Sequence, residues 1–104
     1  MNYTIDENRI IELVVEMISK QMDSYYIHEK SGQYAIQDKE GKCLINYGSN
    51  NKELYYDYSL REFIEKFMPF MEFDTFKKAV KEYFNSEFPE LQVKRVYGAN
   101  IVKG

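Results

Sequence analysis

His28 and Cys43 have the strongest claim to chemistry in this chain, because each is the only residue of its kind. A thiolate beside an imidazole is a nucleophile–base pair, and these two residues fall on neighbouring predicted strands. The pair lacks a third group to orient the histidine. Alternation sets His28 opposite Ile27, toward solvent or a sheet edge. Cys43 precedes Leu44 and Ile45, a context in which a free thiol behaves as a small hydrophobe. A small enzyme built on Cys43 and His28 is therefore the least favoured reading, and no catalytic residues are expected.

Metal and cofactor chemistry fares no better. One histidine and one cysteine cannot close a zinc site, and no paired ligand spacing occurs. Glu53, Asp57 and Glu62 surround a predicted strand-to-helix corner. Acids at such a corner serve as helix caps more often than as magnesium ligands. The glycines are scattered and form neither a dinucleotide nor a phosphate-loop signature. No metal and no cofactor are expected.

Lys77, Lys78 and Lys81 share one side of a predicted helix. With Lys94 and Arg95 they define an alternative function, nucleic-acid binding. Helices flanking a sheet, with lysines at a helix start, are similar to double-stranded RNA-binding domains. The likeness rests on Lys77-Lys78-Ala79-Val80-Lys81, and an extra helix at Leu60–Met68 departs from that order. The net charge of −3 also opposes phosphate binding. Glu72, Asp74 and Glu82 offset the lysines, and spacings such as Lys78–Glu82 fit an ordinary solvated helix face.

Tyrosine is the unusual feature: there are ten, with no tryptophan. Tyr25, Tyr26, Tyr34, Tyr47, Tyr55, Tyr56 and Tyr58 crowd the predicted sheet. Sheets favour tyrosine in general. Adjacent pairs such as Tyr25-Tyr26 and Tyr55-Tyr56 must point to opposite faces, so neither face is an ordinary solvated surface. Tyrosine gives a partner large contact area at small entropic cost. The expected partner-binding residues are Tyr26, Glu53, Tyr55, Tyr56, Asp57 and Tyr58, docking on another protein with a basic surface. Pairing of the same sheet with a second copy is a close competitor.

The elements that must position these residues follow from periodicity. Thr4 and Glu7 have the spacing of a capping box. Ile10, Leu13, Val14, Met17 and Ile18 then form a helical stripe, giving a helix from about Asp6 to Met22. Alternation takes over in Ser24–Lys30, Gln33–Asp38, Lys42–Tyr47 and Glu53–Tyr58, with turn residues between them. Ser59 and Glu62 suggest a second capping box before Leu60, Phe63, Ile64 and Phe67. Pro69 ends that helix. A further helix starts at Phe73 or Asp74, with Phe76, Ala79, Val80, Tyr83 and Phe84 on its buried face. Leu91–Tyr97 reads as a last strand that Gly98 breaks.

The expected fold is α+β. A four- to five-stranded antiparallel sheet carries a long N-terminal helix and two C-terminal helices, in the order α-β-β-β-β-α-α-β. The 104 residues fit one domain. The apolar stretch Ile10–Ile18 carries two glutamates and lacks a basic front, so no signal peptide or membrane span is expected. A single cysteine fits a reducing, cytoplasmic compartment. The bias toward Phe, Tyr, Ile, Asn and Lys over Ala, Arg and Pro points to an AT-rich coding genome, such as that of a low-GC bacterium or its phage. These readings favour a small non-catalytic protein-binding module of the inhibitor or immunity type.

Overall fold

The computed structural model describes residues 6–102. The chain runs through α1 (Glu7–Gln21), β1 (Met22–His28), β2 (Gln33–Asp38), β3 (Cys43–Gly48), β4 (Glu53–Asp57), α2 (Tyr58–Glu65), α3 (Phe73–Glu87) and β5 (Arg95–Ala99). The order matches the α-β-β-β-β-α-α-β expectation, and the fold is α+β.

Two helix starts are capped two residues away from the positions that spacing suggests. Asp6 caps α1, its side chain accepting the backbone N–H of Asn8 at 3.1 Å. Thr4 lies outside the described residues. Asp57, not Ser59, caps α2 and accepts the Ser59 N–H at 3.0 Å. An aspartate two residues before the first free N–H has the reach for this bond, and Ser59 already sits inside the helix. Both α1 to β1 and β4 to α2 join without a loop.

The sheet has the strand order β1-β2-β3-β4-β5. The first four strands form an antiparallel meander. β5 runs parallel to β4, so the sheet is mixed and not purely antiparallel. The cause is the connection. Helices α2 and α3 carry the chain back to the end where β4 began, and a strand entered from there must run parallel. Gly98 does not break β5 but lies within it, opposite Tyr56.

One face of the sheet meets the helices. Ile36, Ile45, Tyr47, Leu54 and Tyr56 are buried on it. α3 presses aromatic rings against this face. Phe76 meets Tyr56 and Phe84 meets Tyr47, each with centroids 4.8 Å apart, and Phe88 meets Tyr34 at 5.1 Å. The core cluster also takes Ile11, Val14 and Ile18 from α1 and Leu60 and Ile64 from α2. Lys78 Nζ donates to Glu7 Oε1 at 2.7 Å and ties α3 to α1. The three helices thus form one layer on one side of the sheet, the usual way for an apolar sheet face to leave water. Among the described residues, no helix is long and apolar enough to cross a membrane.

Candidate functional site: the uncovered face of the sheet

Among the described residues, no element covers the opposite face. Pairing registers align two rows of side chains across it. One row is Tyr26, Ala35, Asn46, Tyr55 and Tyr97. The other is His28, Gln33, Gly48, Glu53 and Arg95. In the first row Ala35 and Asn46 occupy the middle strands and tyrosines the strands on either side. With strands about 4.8 Å apart, Tyr26 and Tyr55 stand roughly 14 Å from each other across this trough.

The tyrosines at the β4–β5 side are organised. Tyr55 and Tyr97 stack with centroids 5.7 Å apart and planes 29° apart. The Tyr55 hydroxyl donates to Glu53 Oε1 at 2.8 Å, and Asn51 Nδ2 donates to the same oxygen at 2.8 Å. That bond to a carboxylate holds the Tyr55 phenol protonated above its usual range. Arg95 stands opposite Glu53 in the register and lies beside Tyr97. Across the sheet, Tyr26 and His28 meet edge to face at 5.2 Å. Tyr26 and Tyr97 remain 43% and 37% exposed, so aromatic surface is left open at both rims.

The residues expected to bind a partner separate into two groups. Tyr26, Glu53 and Tyr55 lie together on the uncovered face. Tyr58 is exposed, at the start of α2 beyond the last residue of β4. Tyr56 is fully buried against Phe76 and cannot anchor a partner. Asp57 is buried too. Its Oδ1 accepts the backbone N–H groups of Ile101 at 2.8 Å and Val102 at 3.0 Å, and its Oδ2 accepts from Ser59. Alternation alone put Tyr56 and Asp57 on opposite faces. Only the helix layer and the turn after β5 show that both positions are filled. Glu53 and Asp57 therefore do not supply a free acidic rim.

The other candidates do not assemble. His28 pairs with Gln33 and Cys43 with Gln37, at opposite ends of β2. Two strands and four residues of separation place them on the order of 15 Å apart, so no dyad forms. Cys43 Sγ contacts the Ile45 carbonyl at 3.4 Å, and burial pushes its thiol above its usual pKa. Glu53 and Asp57 stand at opposite ends of β4, and no metal-ligating cluster occurs among the described residues.

The basic residues are also divided. Lys77, Lys78 and Lys81 ride on α3 in the helix layer, and Lys78 is paired with Glu7. Arg95 is on the other side of the sheet, beside Tyr97. Lys94 precedes β5, its backbone N–H donating to the Lys52 carbonyl at 2.8 Å. The lysine helix and the basic strand do not form one surface.

Two features escaped the sequence reading. Tyr97 belongs to the uncovered face, and the signal was present: it is two residues after Arg95, in step with it. Phe67, Phe70 and Phe73, 51–63% exposed, project around the α2–α3 connection, with the Arg61 guanidinium 3.2 Å over the Phe73 ring. The helical stripe Leu60, Phe63, Ile64, Phe67 predicts a buried Phe67, and the structure leaves it exposed. α2 ends at Glu65, two residues too soon for that stripe to continue.

No protein-family model matches the chain, and no curated protein or solved structure matches it.

Proposed function

We propose that this chain is a non-catalytic protein-binding module, which seats a partner on the uncovered face of its sheet and acts by occluding that partner's surface. The observation that carries the reading is the Tyr55–Tyr97 stack on a sheet face that no element of the described chain covers. Tyrosine rings fixed by neighbours lose little freedom on binding and contribute large contact area. The trough between Tyr26 and Tyr55 is about as wide as a helix with its side chains. A partner helix laid between the tyrosine rims would complete a second layer over the sheet. Glu53 and Arg95 supply one charge of each sign at its border, which favours a partner surface of mixed polarity over a strongly basic one.

The test compares the wild-type chain with a Tyr55→Ser/Tyr97→Ser variant as bait in cell extract from the source organism. Proteins captured by the wild type and lost by the variant are then purified and titrated directly. The reading expects at least a tenfold weaker affinity for the variant at unchanged thermal stability. Equal capture by both baits would remove it.

A second reading rests on the same stack. Flat rings beside an arginine also receive unpaired nucleobases. A titration with single-stranded RNA and DNA across ionic strength separates the two. Binding at low salt that fades steeply as salt rises belongs to nucleic acid. The acidic net charge and the divided lysines weigh against that outcome.

A further inference from the structure

We infer that β1 is a self-association edge: two copies of this chain pair β1 with β1 antiparallel, about a two-fold axis at Tyr26. The sheet edge carries this pairing on observations separate from the Tyr55–Tyr97 stack, although Tyr26 borders both surfaces.

Among the described residues, β1 ends the strand order and pairs with β2 alone, so its outer backbone groups have no partner within the sheet. Edge strands of monomeric proteins are usually short or guarded by charge, proline or a bulge, because an open edge invites a further strand. β1 is the longest strand of the sheet, at seven residues. Its segment Ser24–His28 contains no acid, lysine, arginine or proline. The one irregularity in its pairing lies between Met22 and Ser24, ahead of that segment.

The side chains make the same point. Tyr25 and Ile27, on the helix-facing side, are 56% and 45% exposed. The helix layer stops short of β1 and reaches it through Phe88, which meets Tyr25 at 5.0 Å. Tyr26 is exposed on the other side. A strand exposed on both faces is expected where something else covers it.

The sequence of β1 selects the register. Centring the axis on Tyr26 sets Tyr25 against Ile27 of the copy, Ser24 against His28, and Tyr26 against itself. Every position from 24 to 28 then meets an uncharged neighbour, and the apolar residues left bare by the helices cover one another. Moving the axis to Tyr25 would set Asp23 against Ile27. Moving it to Ile27 would set Tyr25 against Glu29. In the favoured register Asp23 opposes Glu29 at each end, which limits the pairing to five residues. The β5 edge is a poorer candidate, because it is shorter, carries Arg95 and contains Gly98. A copy on β1 leaves the β5 edge and the Tyr55–Tyr97 stack free, and Tyr26 is shared between the seam and the rim of the uncovered face.

Sedimentation velocity of the full chain over a range of concentrations tests the association. A dimer that dissociates on dilution is expected, and Ile27→Lys should make it monomeric while melting at the temperature of the wild type diluted to monomer. Disulfide trapping tests the register. In a Cys43→Ser background, Tyr26→Cys should cross-link two copies rapidly under oxidation. Residues directly opposite in an antiparallel pair have Cα atoms about 5 Å apart, within disulfide reach. Ile27→Cys should not cross-link, because its opposite residue is Tyr25. A monomer at every concentration, a dimer that survives Ile27→Lys, or faster trapping through position 27 than through position 26 would overturn the proposal.

Discussion

Asp57 concentrates more structure than any other side chain here. It ends β4, caps α2 and fastens the turn after β5 through the Ile101 and Val102 N–H groups. Burial alone would raise its pKa, but the Ser59 hydroxyl and three backbone N–H donors outweigh that and lower it below the usual 3.8. The ionised form is therefore the one the fold prefers. Its stabilisation is complete above the unfolded value of 3.8 and is lost as pH falls through the lower folded value. Asp57→Ala should destabilise the chain by about 1–3 kcal/mol, since it removes a cap and takes the acceptor from the Ser59, Ile101 and Val102 N–H groups. Urea unfolding at neutral pH and near pH 3 measures both effects, and the mutant should lose less stability than the wild type on acidification. Cys43 should react with iodoacetamide near neutral pH more slowly than a free thiol, because burial raises its pKa and withholds the thiolate. A stopped-assay alkylation time course checks this, and rapid labelling would reopen the question of nucleophilic chemistry.

At the scale of elements, β5 is the piece most sensitive to a small change. Gly98 faces the helix layer opposite Tyr56. A Cβ there would stand 2.5 Å from a Tyr58 ring carbon and 3.0 Å from the Tyr56 hydroxyl. Gly98→Ala should cost about 1–3 kcal/mol, since the ring at the α2 start must move or β5 must lift from β4. Thermal unfolding monitored by circular dichroism gives the number. Ala35 supplies the comparison: Ala35→Gly removes one methyl from a central strand of the uncovered face and should cost no more than about 1 kcal/mol. Much of this level was legible beforehand. Stripes at three and four residues placed α1 and α3, and alternation placed β1–β4, because each element's own periodicity encodes its buried side. The direction of β5 was not legible from its own residues. It follows from where two intervening helices leave the chain.

The whole molecule is a helix layer on one side of a sheet and an open aromatic face on the other. Removing a surface anchor from such a face should cost binding and not folding. Tyr97→Ser is therefore expected to leave the melting temperature within a few degrees of wild type, since it is partly exposed and its ring stacks only on Tyr55. Tyr47→Ser, by contrast, empties a buried position whose hydroxyl donates to the Gln92 carbonyl at 2.6 Å and should cost about 3–5 kcal/mol. Differential scanning calorimetry of the two variants separates a surface role from a core role. If Tyr97→Ser proved as damaging as Tyr47→Ser, the uncovered face would be structural and its proposed use would fail.

Residue types and spacings were sufficient to specify the elements, their order and the α+β class. They also required the Tyr25–Tyr26 and Tyr55–Tyr56 pairs to straddle the sheet, because adjacent strand residues cannot share a face. Which face the helices would occupy was decided only when α3 laid Phe76, Phe84 and Phe88 against Tyr56, Tyr47 and Tyr34. That choice buried Tyr56, left Tyr55 and Tyr97 outside and set Arg95 and the α3 lysines on opposite sides. Periodicity is a local property of a chain segment. Burial depends on what another segment, distant in sequence, places on top.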